Sequence, residues 1–309
     1  MEKDITPNTS SRGALLGILV PIAVALLIGM IFLVFTPDND GVIVNVLSSL
    51  FTEIAFVLIA FYLSKQNGTN FWVMTKANIK PKSKHIYLAI GLSIACIFLF
   101  LPIISLWENL LSTIGYKIQD GLVYDLTNPM WIIYSIFAVA LLPAICEETL
   151  FRGVVLNGTR SLGIKFCVLY SALCFSLMHL NIQQLPYTFI LGIICGLFCY
   201  HTHSLWPSVI FHFINNSFVL LLMCVPALQN ALFGWWSALP IWAAILIALV
   251  LVVVAYFVIR FVFTHINNAP PTDQQETKST SPKDKKLYIP LIVGAVLVII
   301  LSISRFGAL

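Results

Sequence analysis

Residues 131–152 read WIIYSIFAVALLPAICEETLFR, an apolar run that closes on two adjacent carboxylates, Glu147 and Glu148, with Arg152 four residues beyond the second. Apolar segments of this length form membrane-spanning helices. Ionisable groups at membrane depth are costly, and they usually face the interior of a helix bundle or a wet cavity. This stretch therefore predicts a membrane helix whose polar end carries the chemistry of the protein.

The composition of the whole chain indicates the same class. Of its 309 residues, 59% are hydrophobic and only 10% are charged. Apolar runs long enough to cross about 30 Å of hydrocarbon as helices recur along the chain, and none alternates like a barrel strand. The seven cysteines lie within or beside these runs, which predicts small hydrophobic residues rather than a disulfide framework. We therefore expect an all-α, polytopic transmembrane helix bundle of about eight or nine spans.

Nine candidate spans divide the chain into five regions. The spans cover residues 13–35, 42–64, 86–107, 131–150, 164–179, 186–200, 205–225, 238–263 and 287–304. The regions are a polar cytoplasmic lead (1–12), an N-terminal part with three spans (13–130), a catalytic core with the span after it (131–263), a linker (264–286) and a final span (287–309). Asn, Pro, Ser, Thr and Lys dominate the linker, which predicts disorder.

The basic residues indicate the orientation. Nine crossings leave Lys117 and Arg305 on one side, so fifteen of the seventeen Lys and Arg residues fall on the other. Because basic connections stay in the cytoplasm, we predict a cytoplasmic N-terminus and an external C-terminus. The net positive charge then reflects topology, and we expect no nucleic-acid partner. The short lead, this charge pattern and the lack of an organelle signal fit a bacterial inner membrane.

The first polar group is formed by Glu147, Glu148 and Arg152, which the topology places at the cytoplasmic end of the fourth span. Glu148 and Arg152 lie one helical turn apart and can pair, whereas Glu147 points about 100° away. A purely structural ion pair is the alternative interpretation. We expect Arg152 to hold Glu148 as structural support and to leave Glu147 available to the bundle interior.

Two further pairs of residues, each with at least one polar member, follow on later spans. Phe175 and His179 share a face of the fifth span, and His212 and Asn216 share a face of the seventh, each pair at i and i+4. A single intramembrane His or Asn is often only a hydrogen-bonded packing residue. The occurrence of all three groups on apolar segments between the fourth and the seventh span favours one polar cavity lined by Glu147, His179, His212 and Asn216.

Such a set supports hydrolysis by an activated water along either of two routes. In one, a carboxylate and an imidazole take a proton from water, while a second imidazole and an amide donate hydrogen bonds to the oxyanion. In the other, Glu147, His179 and His212 hold a zinc ion, which lowers the pKa of bound water to about 7. The sequence does not choose between them. Glu53, an acid inside the second span, either lines the same cavity or is neutral through desolvation.

At these residues the chain resembles the CAAX protease and bacteriocin-processing (CPBP, or ABI) family of intramembrane endopeptidases. The family signatures are a double Glu followed after three residues by Arg, a Phe with His four residues on, and a His with Asn or Asp four residues on. All three occur here in order. The resemblance implies that Glu147 with His179 activates water and that His212 with Asn216 stabilises the oxyanion. The supporting residues are Glu148, Arg152 and Phe175.

The resemblance also bears on substrates and partners. Some relatives trim the last three residues of prenylated proteins, and many bacterial relatives process bacteriocins or give immunity to them. We therefore expect hydrolysis of peptide bonds in membrane-associated or lipidated proteins or peptides that reach the cavity from the membrane, with lipids as further partners. The alternative is a non-catalytic immunity or peptide-binding protein, which would not need the water-activating pair.

Overall fold

A computed structural model gives the fold, and it describes residues 5–35, 42–118, 129–266 and 284–306. Within these ranges the backbone is helical, and the β contact present is an isolated bridge between Tyr116 and Phe306. Eight of the described helical segments are long and apolar enough to cross a membrane. The prediction of an all-α, multi-pass membrane protein is confirmed. The orientation and a bacterial inner membrane stay predictions.

Twelve α-helices follow one another through the described ranges. They are α1 (Pro7–Phe35), α2 (Val42–Asn67), α3 (Phe71–Met74), α4 (Ser83–Thr113), α5 (Pro129–Ser135), α6 (Leu142–Leu150), α7 (Ile164–Met178), α8 (Leu185–Thr202), α9 (Trp206–Cys224), α10 (Pro226–Ser237), α11 (Ile241–Ile266) and α12 (Ile289–Ile303). Two π-helical segments, Ile136–Leu141 and Phe151–Leu156, flank α6 and join it into one continuous rod with α5.

Hydrogen bonds identify the two ends of the bundle. At the first end, the Ser10 hydroxyl donates to the Val155 carbonyl at 2.6 Å, and the Trp206 indole donates to the Ala77 carbonyl at 2.9 Å. At the second end, the Trp107 indole donates to the Ile182 carbonyl at 3.0 Å. Helix α7 therefore runs from one end to the other, although its 15 residues measure only about 22 Å.

Hydrogen bonds place four basic residues at the two ends, on the sides that the sequence predicts for them. Lys117 and Arg305 meet at the second end, where the Lys117 amide donates to the Arg305 carbonyl at 3.0 Å. Lys76 and Arg160 lie at the first end, close to the loop that joins α8 to α9. These four residues of the described ranges thus divide between the two ends as the sequence pattern predicts.

Several boundaries differ from the predicted ones. Helix α1 begins at Pro7, inside the predicted polar lead, because Ser10 and Ser11 donate to the carbonyls of Val155 and Lys286 and are buried there. Helix α11 runs three residues into the predicted linker, to Ile266, and residues 267–283 lie outside the described ranges. Helix α10 fills a stretch that the sequence left unassigned between two spans.

The fourth membrane helix owes its irregular backbone partly to Pro143. Proline has no N–H to donate to the carbonyl four residues earlier, which is that of Val139. The side-chain amide of Asn216 on α9 donates to this carbonyl instead, at 3.2 Å. In the second π segment, the Ser171 hydroxyl on α7 donates to the Phe151 carbonyl at 2.8 Å. Neighbouring helices thus satisfy carbonyls along this rod, and π segments are frequent at functional sites.

Candidate active site

Three helices bring their polar side chains to one buried cluster. Helix α6 packs against α2 and α9, and the π segment that follows α6 packs against α7. Glu53 comes from α2, Glu147 and Glu148 come from α6, and His212 comes from α9. Each of these four residues is at most 7% exposed. A buried concentration of ionisable groups in a membrane helix bundle indicates a functional site.

Glu148 joins the cluster into a chain of ion pairs. One of its oxygens lies 3.1 Å from Nε of Arg152, and the other lies 3.1 Å from Nδ1 of His212. Arg152 is fully buried and also donates to the Gly192 carbonyl at 3.3 Å, while its guanidinium stands 4.5 Å from the centre of the Phe175 ring. A carboxylate paired with a guanidinium accepts hydrogen bonds, so in this pairing Nδ1 of His212 carries the hydrogen of its bond to Glu148.

Gly192 is required at this position by the packing of its helix. A Cβ atom added there would come within 2.9 Å of the Ala172 Cα on α7. This close approach of α7 and α8 brings the Gly192 carbonyl within reach of Arg152. The glycine therefore contributes to the site through the backbone, without a side chain of its own.

Glu147 faces His212 and Glu53 rather than Arg152. Its Oε2 atom lies 3.8 Å from Nε2 of His212 and has no hydrogen-bond partner among the described residues. The side chain of Glu53 on α2 lies close enough to interact electrostatically with this carboxyl group. Glu53 thus lies beside the cluster, and both interpretations of it stay predictions. No sequence signal near Glu53 shows this proximity, because the proximity depends on how α2 packs against α6.

His179 caps the C-terminal end of α7. Its Nδ1 atom lies 2.9 Å from the Phe175 carbonyl, so Nδ1 carries a hydrogen and, in the neutral ring, Nε2 is an acceptor. The Phe175 ring lies between the two imidazoles, 5.0 Å from that of His179 and 5.7 Å from that of His212. His179 is half-buried, and Leu180 directly after it takes a left-handed backbone conformation that ends the helix.

The two adjacent asparagines of α9 have different environments. Asn216 shares the face of His212 and donates to the Val139 carbonyl, which occupies one of its two amide hydrogens. Asn215 faces α4 and α8, where its amide donates to the Ser93 hydroxyl and its oxygen accepts from Tyr187 at 2.9 Å. Asn216 therefore has a second amide hydrogen and its oxygen left for other partners.

A comparison with protein families now adds to this geometry. Residues 128–218 match the family model for Type II CAAX prenyl endopeptidase Rce1-like proteins. The matched range contains all three signatures, from Glu147 to Asn216, and confirms the predicted resemblance to the CAAX protease and bacteriocin-processing family. At the level of the family, the match supports an intramembrane CAAX-type protease. No curated protein and no solved structure matches the chain.

The residues of the first signature lie deeper in the bundle than the sequence predicted. We predicted Glu147 and Glu148 near the end of the fourth span, but helical backbone continues to Leu156, about two turns further on. The reason is that Phe151, Val154 and Leu156 are apolar and fully buried, and their packing stabilises this part of the helix inside the bundle. The cluster therefore lies about two helical turns away from the first end of the bundle.

The donor atoms of the described residues do not form a zinc site. A catalytic zinc needs three protein ligands that converge on one point. Across the described ranges, no three His, Cys, Asp or Glu side chains are grouped in that way. Nδ1 of His212 is bonded to Glu148 and Nδ1 of His179 to the Phe175 carbonyl. Both histidines keep Nε2 free, which suits acid–base chemistry and metal ligation alike.

Proposed function

We propose that the protein is an intramembrane endopeptidase that hydrolyses a peptide bond with a water activated by Glu147 and His212. The observation that carries this proposal is the gap of 3.8 Å between Glu147 Oε2 and His212 Nε2, both buried. Polar atoms at such a separation are suited to a bridging water. The family match over residues 128–218 supports peptide hydrolysis as the reaction.

In this mechanism Glu147 accepts a proton from the water as its oxygen attacks the carbonyl carbon. His212 orients the water because Glu148 holds the ring with the hydrogen on Nδ1 and leaves Nε2 as an acceptor. Arg152 balances the charge of Glu148 and keeps it from competing for the proton. The proton held by Glu147 then passes to the departing amine.

We assign His179 and Asn216 to the substrate. The second amide hydrogen of Asn216 is a neutral donor for the developing oxyanion. Nε2 of neutral His179 accepts a hydrogen bond and suits an N–H group of the substrate backbone. The roles of the two histidines are thus exchanged relative to those implied by the resemblance. We expect His212→Gln to lower kcat, and His179→Gln mainly to raise KM.

The test compares protein termini in membranes and medium from cells that express the wild type, Glu147→Gln or no protein. We expect a cleaved terminus that depends on the wild type and falls by about 10³-fold in Glu147→Gln, because proton transfer by a positioned side chain contributes on this order. Glu108→Gln is the matched control, since Glu108 lies near the second end, where it accepts from Gln183 at 2.9 Å.

Two results would contradict the mechanism. If every terminus is unchanged in Glu147→Gln while a protective phenotype persists, the protein is the immunity or peptide-binding protein that we consider as the alternative. If a chelator abolishes cleavage and zinc restores it, a metal replaces the side-chain mechanism. The identity of the Glu147-dependent terminus also tests the substrate class, which we propose to be a membrane-associated or lipidated protein.

A further inference from the structure

Asn215 is a buried polar residue of α9 that the mechanism above does not use. It lies three residues after His212 and is only 1% exposed. Its amide donates to the Ser93 hydroxyl on α4 and, at 3.1 Å, to the Phe211 carbonyl. Its oxygen accepts from the Tyr187 hydroxyl on α8 at 2.9 Å. Asn215 therefore connects three helices within one helical turn of His212.

The same network reaches the backbone next to His212. The Ser93 hydroxyl donates to the Phe211 carbonyl at 3.3 Å, and this carbonyl belongs to the peptide group that joins Phe211 to His212. Ser93 is fully buried, so water does not compete for its bonds. Ser93, Asn215 and the Phe211 carbonyl thus form a closed triangle of hydrogen bonds between α4 and α9.

These directional bonds matter because α9 is a mostly apolar helix. Apolar contacts are non-directional, and lipid is as apolar as the helix itself, so burial alone favours no particular rotation of α9. The proposed water site, in contrast, depends on the 3.8 Å between Glu147 Oε2 and His212 Nε2. A displacement of about 1 Å at such a site can slow a reaction by about 100-fold.

We propose that Ser93, Asn215 and Tyr187 are positioning residues, which hold α9 so that His212 stays at the distance from Glu147 that a bridging water needs. The inference rests on the proposed function. The alternative is that the network only joins helices, as polar side chains often do in membrane bundles. In that case its loss lowers the amount of folded protein and leaves the turnover of each folded molecule unchanged.

Ser93→Ala and Ser10→Ala are a matched pair of variants that separates the two roles. Both serines are fully buried and donate to a carbonyl of another helical segment, but the acceptor of Ser10 is Val155 rather than a residue of α9. We expect similar, small shifts in the thermal unfolding of the detergent-solubilised proteins. The six buried cysteines make a thiol-reactive dye a direct reporter of this unfolding.

Turnover should differ between the two variants. The probe is a synthetic peptide that spans the cleavage site identified by its dependence on Glu147. We expect kcat to fall by about tenfold in Ser93→Ala, because α9 keeps only part of the network. We expect Ser10→Ala to keep the wild-type kcat, and KM to stay unchanged in both variants.

A double-mutant cycle with His212→Gln supplies a readout that a structural role would not change. Leucine is similar in size to asparagine but apolar, and we expect Asn215→Leu to lower kcat by about 100-fold. In the His212→Gln background, the same change should lower the rate by less than about threefold, because the residue that it positions is already lost. Single-turnover measurements with excess enzyme give the residual rates.

The outcomes distinguish this inference from the proposed function. If Glu147→Gln cleaves the peptide normally, the proposed function fails, and the positioning role fails with it. If Glu147→Gln is inactive but Asn215→Leu keeps the wild-type kcat, only the role of the network is overturned. It is also overturned if Asn215→Leu slows cleavage equally in both backgrounds, or if activity falls only in proportion to a loss of folded protein.

Discussion

Two membrane helices of nearly equal length, Ile132–Leu156 and Ile241–Ile266, behave in opposite ways. In its most apolar stretch the first has 50% of its residues buried inside the protein, whereas the second has only 17%. The second is the more apolar of the two, and it nevertheless presents most of its side chains outwards. In water the more apolar helix would be the more buried one. The reversal follows from the lipid, which accepts apolar side chains without cost and excludes ionisable ones.

The comparison shows what holds each helix in place. The first is fixed by specific polar contacts, above all those of Arg152 and Asn216. The second packs on α4 through small residues, Ala244, Ala248 and Ala255, which are buried on its inner face. Small residues let membrane helices approach closely without polar groups. Substitutions should therefore have very different effects on the two helices.

The largest effect on stability is expected for Arg152→Met. The change leaves the buried carboxylate of Glu148 without its cation, which costs about 3–5 kcal/mol. We expect the free energy of unfolding to fall by this amount, as measured with the thiol-reactive dye in detergent. Cleavage should be lost as well, because Glu148 would no longer hold His212 in its orientation.

A double variant checks the cause of that loss. Arg152→Met combined with Glu148→Leu removes both charges, and we expect it to recover most of the stability but none of the activity. If the double variant is as unstable as Arg152→Met alone, the contribution of Arg152 comes from packing on Phe175 rather than from its ion pair.

Asn216→Leu should have the next largest effect. It removes the donor to the half-buried Val139 carbonyl, and an acceptor left unsatisfied away from water costs about 1–3 kcal/mol. Pro143→Ala in the same chain restores an N–H four residues after Val139, so the double variant should recover stability without recovering turnover. Equal stability of Asn216→Leu and the wild type would contradict the bond between α9 and the π segment.

The contrast also explains how much of the fold could be predicted from the sequence. The helical class and most spans followed from composition, because long apolar runs have few alternatives to helices in lipid. The end of the fourth helix did not, since Arg152 and the two glutamates mimic a helix end at the membrane surface. Only the tertiary pairing of Glu148 with Arg152 and His212 makes it possible to bury these charges.

In the candidate site, too, some features could be predicted from the sequence and others could not. Spacing along single helices was enough to choose Glu147, His179, His212 and Asn216, because each signature is local. The electrostatic interaction between Glu53 and Glu147 joins two helices distant in sequence, and it follows only from their packing. The imidazole within 4 Å of Glu147 is that of His212. This contact also depends on the placement of α9.

A pH dependence should arise at the first end of the bundle, outside the apolar layer. Burial, together with the charges of Arg160, Lys76 and His201, lowers the pKa of His203 from 6.5 to about 4. The unfolded chain takes up a proton as the pH falls through 6.5, whereas the folded chain stays unprotonated at His203 until about pH 4. The free energy of unfolding should therefore decrease as the pH falls across this window.

His203→Asn isolates this contribution. Asparagine tolerates the left-handed backbone at this position, where φ is 55°. We expect the difference in unfolding midpoint between pH 7 and pH 5 to be smaller in the variant than in the wild type. An identical difference in both proteins would show that other groups carry the pH dependence.

The smallest effect is expected on the outer face of α11. Leu249 is 60% exposed, so Leu249→Ala should change the free energy of unfolding by less than about 0.5 kcal/mol. Ala255→Leu on the inner face of the same helix is the matched control, and it should cost about 1–3 kcal/mol through overpacking against its neighbours. A large loss in Leu249→Ala would mean that another protein surface, rather than lipid, covers this face. The contrast between the two helices would then reflect a missing partner instead of the solvent.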